Sequence, residues 1–294
     1  MTGLRSRIAG APITWGVCEV PGWGLQLDPE RVLAEMQQVG LQATELGPRG
    51  FLPEDPSSLR AILTAHRLRL VGGFLPLVLH DPKRRRLALA EAERSIRQLA
   101  AAEAEVLVLG AVIGKSGYES PAALDSRGWR HLVDTIAAVE DLAAQSGLVV
   151  TVHPHYGTMV QSPEQTEHLL GASSVALCLD TGHYLVGGGD PVALAKEASG
   201  RISHVHLKDV NWDLVEQVRV GRRSYYDAVQ AGMYRPLGEG EAEVATMVAV
   251  LEAHGYRGWY VLEQDTVLDQ YPEIGGGPKV AADRSARFLE SLSV

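Results

Sequence analysis

Short apolar runs alternate with amphipathic stretches along the 294 residues of the chain. The runs are brief and mostly rich in Val, Ile and Leu, which is typical of strands buried in a parallel sheet. The segment 8–14 is a weaker first run. The predicted strands are therefore residues 8–14, 41–46, 68–75, 106–109, 148–152, 175–179, 202–207 and 260–262.

Helical patterns occupy the segments between these runs. Apolar positions recur on one face in residues 29–40, 127–146 and 241–254. Asp-Pro or Ser-Pro pairs at 28, 55, 162 and 190 each offer a capping oxygen and a preset φ at the first helical position. About eight strand–helix pairs result, which predicts an α/β fold: a single (β/α)₈ TIM barrel over residues 1–294.

A doubly wound open sheet is the alternative architecture. It would usually carry a Gly-rich phosphate-binding turn after its first strand, but Gly22-Trp23-Gly24 follows a proline and opens no helix. The barrel is therefore favoured. The segment 209–240 is long for a loop between strand and helix, and long loops tend to be functional. We expect it to be a lid or a subunit contact.

Charge and composition narrow the class of partner. The net charge of −9 repels nucleic-acid phosphate, so no nucleic-acid partner is expected. No apolar stretch approaches the ~20 residues that span a bilayer, so no membrane partner is expected either. Two cysteines, Cys18 and Cys178, make no disulfide framework and point to the cytoplasm. A homo-oligomer is compatible with the sequence.

Polar side chains follow the predicted strands where a barrel enzyme carries its active site. The second strand ends at Glu45, and the fifth to eighth strands lead into His153, Asp180, His206 and Glu263. Any one of these could be a structural histidine or a helix cap, but four consecutive strands share the pattern. Two imidazoles and two carboxylates suit Mn²⁺, Co²⁺, Fe²⁺ or Zn²⁺ better than Ca²⁺. We therefore predict a divalent-metal site.

Strand alternation adds neighbours to this set. By period two, His155 shares a face with His153, and Lys208 shares a face with His206. His183 follows Asp180 by three residues and could instead cap a helix. Lys208 could instead pair with Asp209 or a neighbouring carboxylate.

Several segments resemble a known superfamily. Residues 180–183 (DTGH) and 204–209 (HVHLKD) are similar to the xylose-isomerase-like barrels, which also include endonuclease IV and the ketose epimerases. Residues 11–24 (APITWGVCEVPGWG), 44–48 (TELGP) and 153–158 (HPHYGT) resemble the inosose (2-keto-myo-inositol) dehydratases more specifically. The resemblance runs nearly end to end.

The same resemblance implies a reaction. Ketose epimerases usually carry Glu at the place of His153, so this histidine favours the dehydratase, and the further ligands of endonuclease IV are not found in the sequence. The implied enzyme is a metal-dependent hydro-lyase of inositol catabolism, with Mn²⁺ or Co²⁺ expected. It removes water from 2-keto-myo-inositol (scyllo-inosose), a small cyclic keto-polyol, to give a trihydroxycyclohexane-dione.

Such a reaction needs a base for the proton next to the ketone and an acid for the departing hydroxyl. The candidates are Lys208, His155, His183 and Glu45, with the two roles left open. The first loop is expected to line the pocket for the ring through Trp15, Glu19 and Trp23, although each tryptophan could equally lie in the core.

Two other functions are compatible with the sequence. A metal-dependent epimerase or isomerase of a related keto-sugar would share the metal and the first proton abstraction, but would lose no water. A non-catalytic polyol-binding barrel would not need an intact set of ligands. The mass of the product separates dehydration from isomerisation.

Overall fold

The computed structural model describes residues 4–115, 117–119 and 123–293. In these residues eight parallel strands, β1 to β7 and β10, close into a barrel in the order β1-β10-β7-β6-β5-β4-β3-β2, which confirms the predicted fold. The strands are β1 (Ile8–Gly10), β2 (Ala43–Glu45), β3 (Arg69–Leu77), β4 (Val106–Ala111), β5 (Val149–Val152), β6 (Ala176–Asp180), β7 (Ile202–Leu207), β8 (Asp209–Val210), β9 (Tyr234–Arg235) and β10 (Tyr260–Leu262).

Helices follow the barrel strands in sequence. All four predicted N-cap residues, Asp28, Asp55, Ser162 and Asp190, accept backbone N–H bonds from the first turn of their helices. The helices are α1 (Pro29–Val39), α2 (Pro56–Ala65), α3 (Arg85–Ala101), α4 (Ser126–Ala144), α5 (Pro163–Ala172), α6 (Thr181–Val186), α7 (Pro191–Glu197), α8 (Trp212–Arg219), α9 (Tyr225–Gln230), α10 (Val244–Ala253) and α11 (Pro278–Ser291).

The predicted first strand is too long. Strand β1 ends at Gly10, and Pro12–Trp15 form a 3-10 helix instead. Proline has no N–H for a strand ladder and its fixed φ suits a helical start, so the chain turns there. Gly16 ends this turn in the left-handed region at a φ of 80°.

The 209–240 segment is not an irregular loop. It contains α8, α9 and a two-stranded antiparallel sheet of β8 and β9. The Asp209 carboxylate closes the segment by accepting the backbone N–H groups of Gly238, Gly240 and Ala242. The segment is therefore a folded excursion that begins and ends beside the mouth of the barrel.

Apolar side chains, Trp259 among them, fill the barrel interior toward the amino ends of the strands. Ala9, Ala43 and Val261 form one buried cluster, and Cys178 packs with Val108 in another, as expected for a core cysteine. Polar side chains replace the apolar ones toward the carboxyl ends of the strands. Among the described residues, no helix is long and apolar enough to cross a membrane.

Candidate metal centre and active site

Strand ends bring the four predicted metal ligands together. The register of β6 and β7 places Asp180 beside His206, and Asp180 Oδ2 lies 3.8 Å from His206 Nδ1. The same carboxylate oxygen lies 3.3 Å from His153 Nε2, and Glu263 Oε2 lies 3.2 Å from His206 Nδ1. One donor atom from each of the four residues lies within 4.8 Å of all the others.

This donor set fits a divalent cation. His206 Nδ1 is buried and has no hydrogen-bond partner, although two carboxylate oxygens face it. A cation bound between this nitrogen and the two carboxylate oxygens would satisfy all three atoms. Two imidazole nitrogens with two carboxylate oxygens match the preferences of Zn²⁺ and of other first-row divalent ions.

Lys208 lies among carboxylates at the edge of this donor set. Its ammonium group donates to Asp180 Oδ2 at 2.7 Å and to Glu263 Oε2, and it lies 3.4 Å from Asp265 Oδ1. Burial opposes its charge, but the three carboxylates outweigh that cost and hold the pKa of Lys208 well above its ordinary value. Asp209, the partner considered from the sequence, is instead occupied with backbone N–H groups.

His155 and His183 form a stacked pair beside Lys208. Their ring centroids lie 3.5 Å apart, and burial lowers the pKa of both imidazoles well below the usual value. His155 Nδ1 lies 2.7 Å from the backbone oxygen of Tyr156, so Nδ1 carries the proton and Nε2 keeps a lone pair. His183 also donates its backbone N–H to Asp180 Oδ1, so it lies in the first turn of α6 while its ring reaches the site.

Glu45 contacts imidazoles rather than Lys208. Its Oε1 atom lies 2.8 Å from His204 Nε2 and 3.1 Å from His206 Nε2. Burial opposes its ionisation, but His206 and His204 outweigh that effect and hold the pKa of Glu45 well below its ordinary value. Glu45 is therefore an ionised acceptor behind a candidate metal ligand.

A cavity of about 260 Å³ opens above these groups and is lined by Glu19 and Trp23, as expected, together with His155, His183 and Lys208. Trp15 was also expected to line this cavity, and that expectation is wrong. It is fully buried, and its indole N–H donates to Glu35 Oε2 at 2.8 Å. The 3-10 helix turns Trp15 into the core, where a buried carboxylate satisfies its polar atom.

The sequence reasoning missed the cavity residues Asp265 and Tyr118, and the role of Tyr225, which packs against the cavity lining. Asp265 lies two residues after Glu263, so strand alternation could have indicated it. Burial raises its pKa to about 6, and Tyr225 donates to its Oδ2 atom at 2.7 Å. Tyr118 donates to Glu19 Oε1 at 2.8 Å. The two tyrosines come from irregular or inserted segments, where no periodicity marks a role.

The tyrosines also show how the 209–240 segment meets the site. The Tyr225 ring lies 5.7 Å from Tyr118 and 6.3 Å from Trp23, measured between centroids, and it stacks on His183. The Tyr225 backbone N–H donates to Glu119 at 2.7 Å. The segment thus packs Tyr225 against side chains that line the cavity.

Comparison with known proteins shows which families the chain resembles. The profile of the family described as xylose isomerase-like TIM barrel matches residues 33–292. The inosose dehydratase of Geobacillus kaustophilus (strain HTA426) is 32% identical, with 97% of this chain and 94% of that protein covered. The rhizopine catabolism protein MocC of Rhizobium meliloti is also 32% identical, with 89% and 82% covered.

A solved structure agrees on the fold. The crystal structure of the IOLI protein with a binding zinc atom superposes with a TM-score of 0.70 at 15% identity, covering 96% of this chain and 95% of that one. The profile and the dehydratase relatives span nearly the whole sequence. The chain therefore belongs to the xylose isomerase-like TIM barrel family and, within it, to the family of the inosose dehydratases.

Proposed function

We propose that the protein is a metal-dependent hydro-lyase of inositol catabolism that removes water from 2-keto-myo-inositol to give a trihydroxycyclohexane-dione. One observation carries this proposal: the four candidate metal ligands and a group of titratable side chains meet at one cavity of a chain related end to end to inosose dehydratases. The cavity of about 260 Å³ suits a single six-membered ring rather than a polymer.

The cation of this proposal is Mn²⁺ or Co²⁺, held by His153, Asp180, His206 and Glu263. When bound, it would stabilise negative charge as that charge develops on the carbonyl oxygen of the substrate. A divalent cation is also consistent with the zinc atom of the IOLI structure, although that likeness speaks for the fold alone.

Side chains of the protein transfer the two protons of the reaction. His155 is neutral and keeps a lone pair on Nε2, so it suits the base that removes the hydrogen next to the ketone. Lys208 is charged and would give its proton to the departing hydroxyl so that water leaves, since a cation on Asp180 and Glu263 would remove the negative charge that raises the pKa of Lys208. His183 stacks on His155 and holds its ring in place. Trp23 would face the C–H side of the ring, and Glu19 would accept from its hydroxyl groups.

The test is the mass of the product after 2-keto-myo-inositol is incubated with the protein loaded with Mn²⁺ or Co²⁺. We expect the loss of one water, no reaction after thorough chelation, and recovery when the metal returns. His206→Ala should abolish both metal binding and turnover. As a matched control, His254→Ala changes an exposed histidine whose Nδ1 atom bonds only within α10, and it should change neither.

Each other result would replace the proposal. An unchanged mass together with hydrogen exchange next to the carbonyl would indicate an epimerase or isomerase. Binding of the polyol without turnover would indicate a non-catalytic barrel. Full activity in stripped protein would refute the metal dependence.

A further inference from the structure

The barrel interior holds a carboxylate directly behind one proposed metal ligand. Glu45 Oε1 lies within hydrogen-bond distance of both His206 Nε2 and His204 Nε2, and all three side chains are buried. An ionised carboxylate only accepts hydrogen bonds, so each imidazole presents an N–H from Nε2 to that oxygen. The arrangement therefore fixes where the protons of both rings lie.

This proton placement decides which nitrogen of His206 can bind a metal. With Nε2 protonated, Nδ1 keeps its lone pair, and Nδ1 is the atom that faces Asp180 and Glu263. A proton on Nδ1 would instead point an N–H at the cation. Resting on the proposed metal function, we infer that Glu45 is a positioning residue that holds His206 in its metal-binding tautomer, and that His204 holds Glu45.

The fold builds this contact across the barrel. Strands β1 and β10 lie between β2 and β7, so Glu45 meets His204 and His206 through the interior rather than along one strand pair. Ala43 and Glu45 share the inner face of β2, as do His204 and His206 on β7. A carboxylate that accepts a hydrogen bond from a metal-binding imidazole also makes that imidazole a stronger electron-pair donor to the metal.

The other imidazole ligand has no such support among the described residues. His153 Nδ1 is buried without a hydrogen-bond partner. An effect of Glu45 on the metal therefore acts through His206. The His204 Nδ1 atom is likewise buried and unpartnered, so the hydrogen bond that His204 makes to Glu45 is the polar contact that orients its ring.

The experiment is a calorimetric titration of Co²⁺ into metal-stripped full-length protein, combined with ¹⁵N NMR of the imidazoles. Glu45→Gln keeps an acceptor oxygen but loses the charge, and Glu45→Leu loses both. We expect Co²⁺ affinity to fall about 10- to 100-fold in Glu45→Gln and further in Glu45→Leu. In Glu45→Leu the His206 signals should also change from one tautomer to a mixture.

Glu35→Gln is the matched control. Glu35 is a buried carboxylate that accepts from Trp15 and Arg31 away from the cavity, so its variant should bind Co²⁺ like the wild type. If the wild type binds no Co²⁺, the proposed metal function is wrong and the inference falls with it. If the wild type binds and Glu45→Gln binds equally well, the inference alone is overturned, even where Glu45→Leu does not fold.

Discussion

Lys208→Met removes a buried ammonium group from among three carboxylates. The Lys208 side chain is 1% exposed and that of Asp180 is fully buried, so water cannot compensate for the lost partner. Breaking a buried ion pair costs about 3 to 5 kcal/mol. For 294 residues the entropy of unfolding is about 0.6 kcal/mol per degree, so Tm should fall by about 5 to 8 °C in a chelating buffer.

A divalent cation should reverse most of this loss. In the wild type, the ammonium group and the cation would neutralise the same oxygens of Asp180 and Glu263, so metal binding has to displace the ammonium group. The variant has no ammonium group to displace. The variant should bind Mn²⁺ more tightly than the wild type does, and its Tm should gain more when Mn²⁺ is added. Turnover should still fall by about 10²- to 10⁴-fold with metal bound, since the proposed acid is gone.

Differential scanning fluorimetry in chelator and in saturating Mn²⁺, followed by steady-state kinetics, measures both effects. Lys196→Met changes an exposed lysine on α7 and should alter stability by no more than about 0.5 kcal/mol. A Tm for Lys208→Met equal to that of the wild type in chelator would refute the electrostatic reasoning. Full activity of Lys208→Met would refute its role as the acid.

Two further variants test Asp265 and the tyrosine that is hydrogen-bonded to it. Burial raises the pKa of Asp265 to about 6 in the folded chain, so the folded state binds this proton more tightly than the unfolded state and stability falls as pH rises from about 4 to about 6. Asp265→Asn should flatten that decline in Tm, measured in chelator, and an unaltered slope would contradict the prediction. Tyr225→Phe loses the hydroxyl bonded to Asp265 and Tyr234, which contributes about 1.5 kcal/mol or more, so Tm should fall by about 2 °C in chelator; an unchanged Tm would show that these hydrogen bonds do not stabilise the fold.

Much of the fold follows from local sequence. Asp28 and Asp190 cap helices as their Asp-Pro pairs predict, because an N-cap bond needs only residues a few positions apart. The alternation of β7 places His206 and Lys208 on one face for the same local reason. The predicted first strand was wrong at Pro12, because proline has no N–H for the strand ladder and the chain turns there although the apolar run continues.

The candidate site divides in a similar way. A closed parallel barrel places the carboxyl ends of its strands around one mouth. Once the fold was predicted, the polar residues at the strand ends were therefore expected to lie close together. Asp265 could be placed by the same alternation, but its contact with Tyr225 could not, because Tyr225 belongs to an inserted segment that follows no strand period. Their contact joins residues 40 positions apart, and only the path of the inserted 209–240 segment brings them together.

The sequence alone therefore predicted the barrel, the four capped helix starts and the four candidate ligands, since each depends on local periodicity or on a rule of the fold. Tertiary structure decided which partners those side chains met. Trp15 and Trp23 look alike in sequence, yet one donates to the buried Glu35 and the other lines the cavity. Glu45 is a proton-transfer candidate by sequence, and the closed barrel places it against His206, 161 residues away, because only closure brings strands from different sides of the barrel within hydrogen-bond distance.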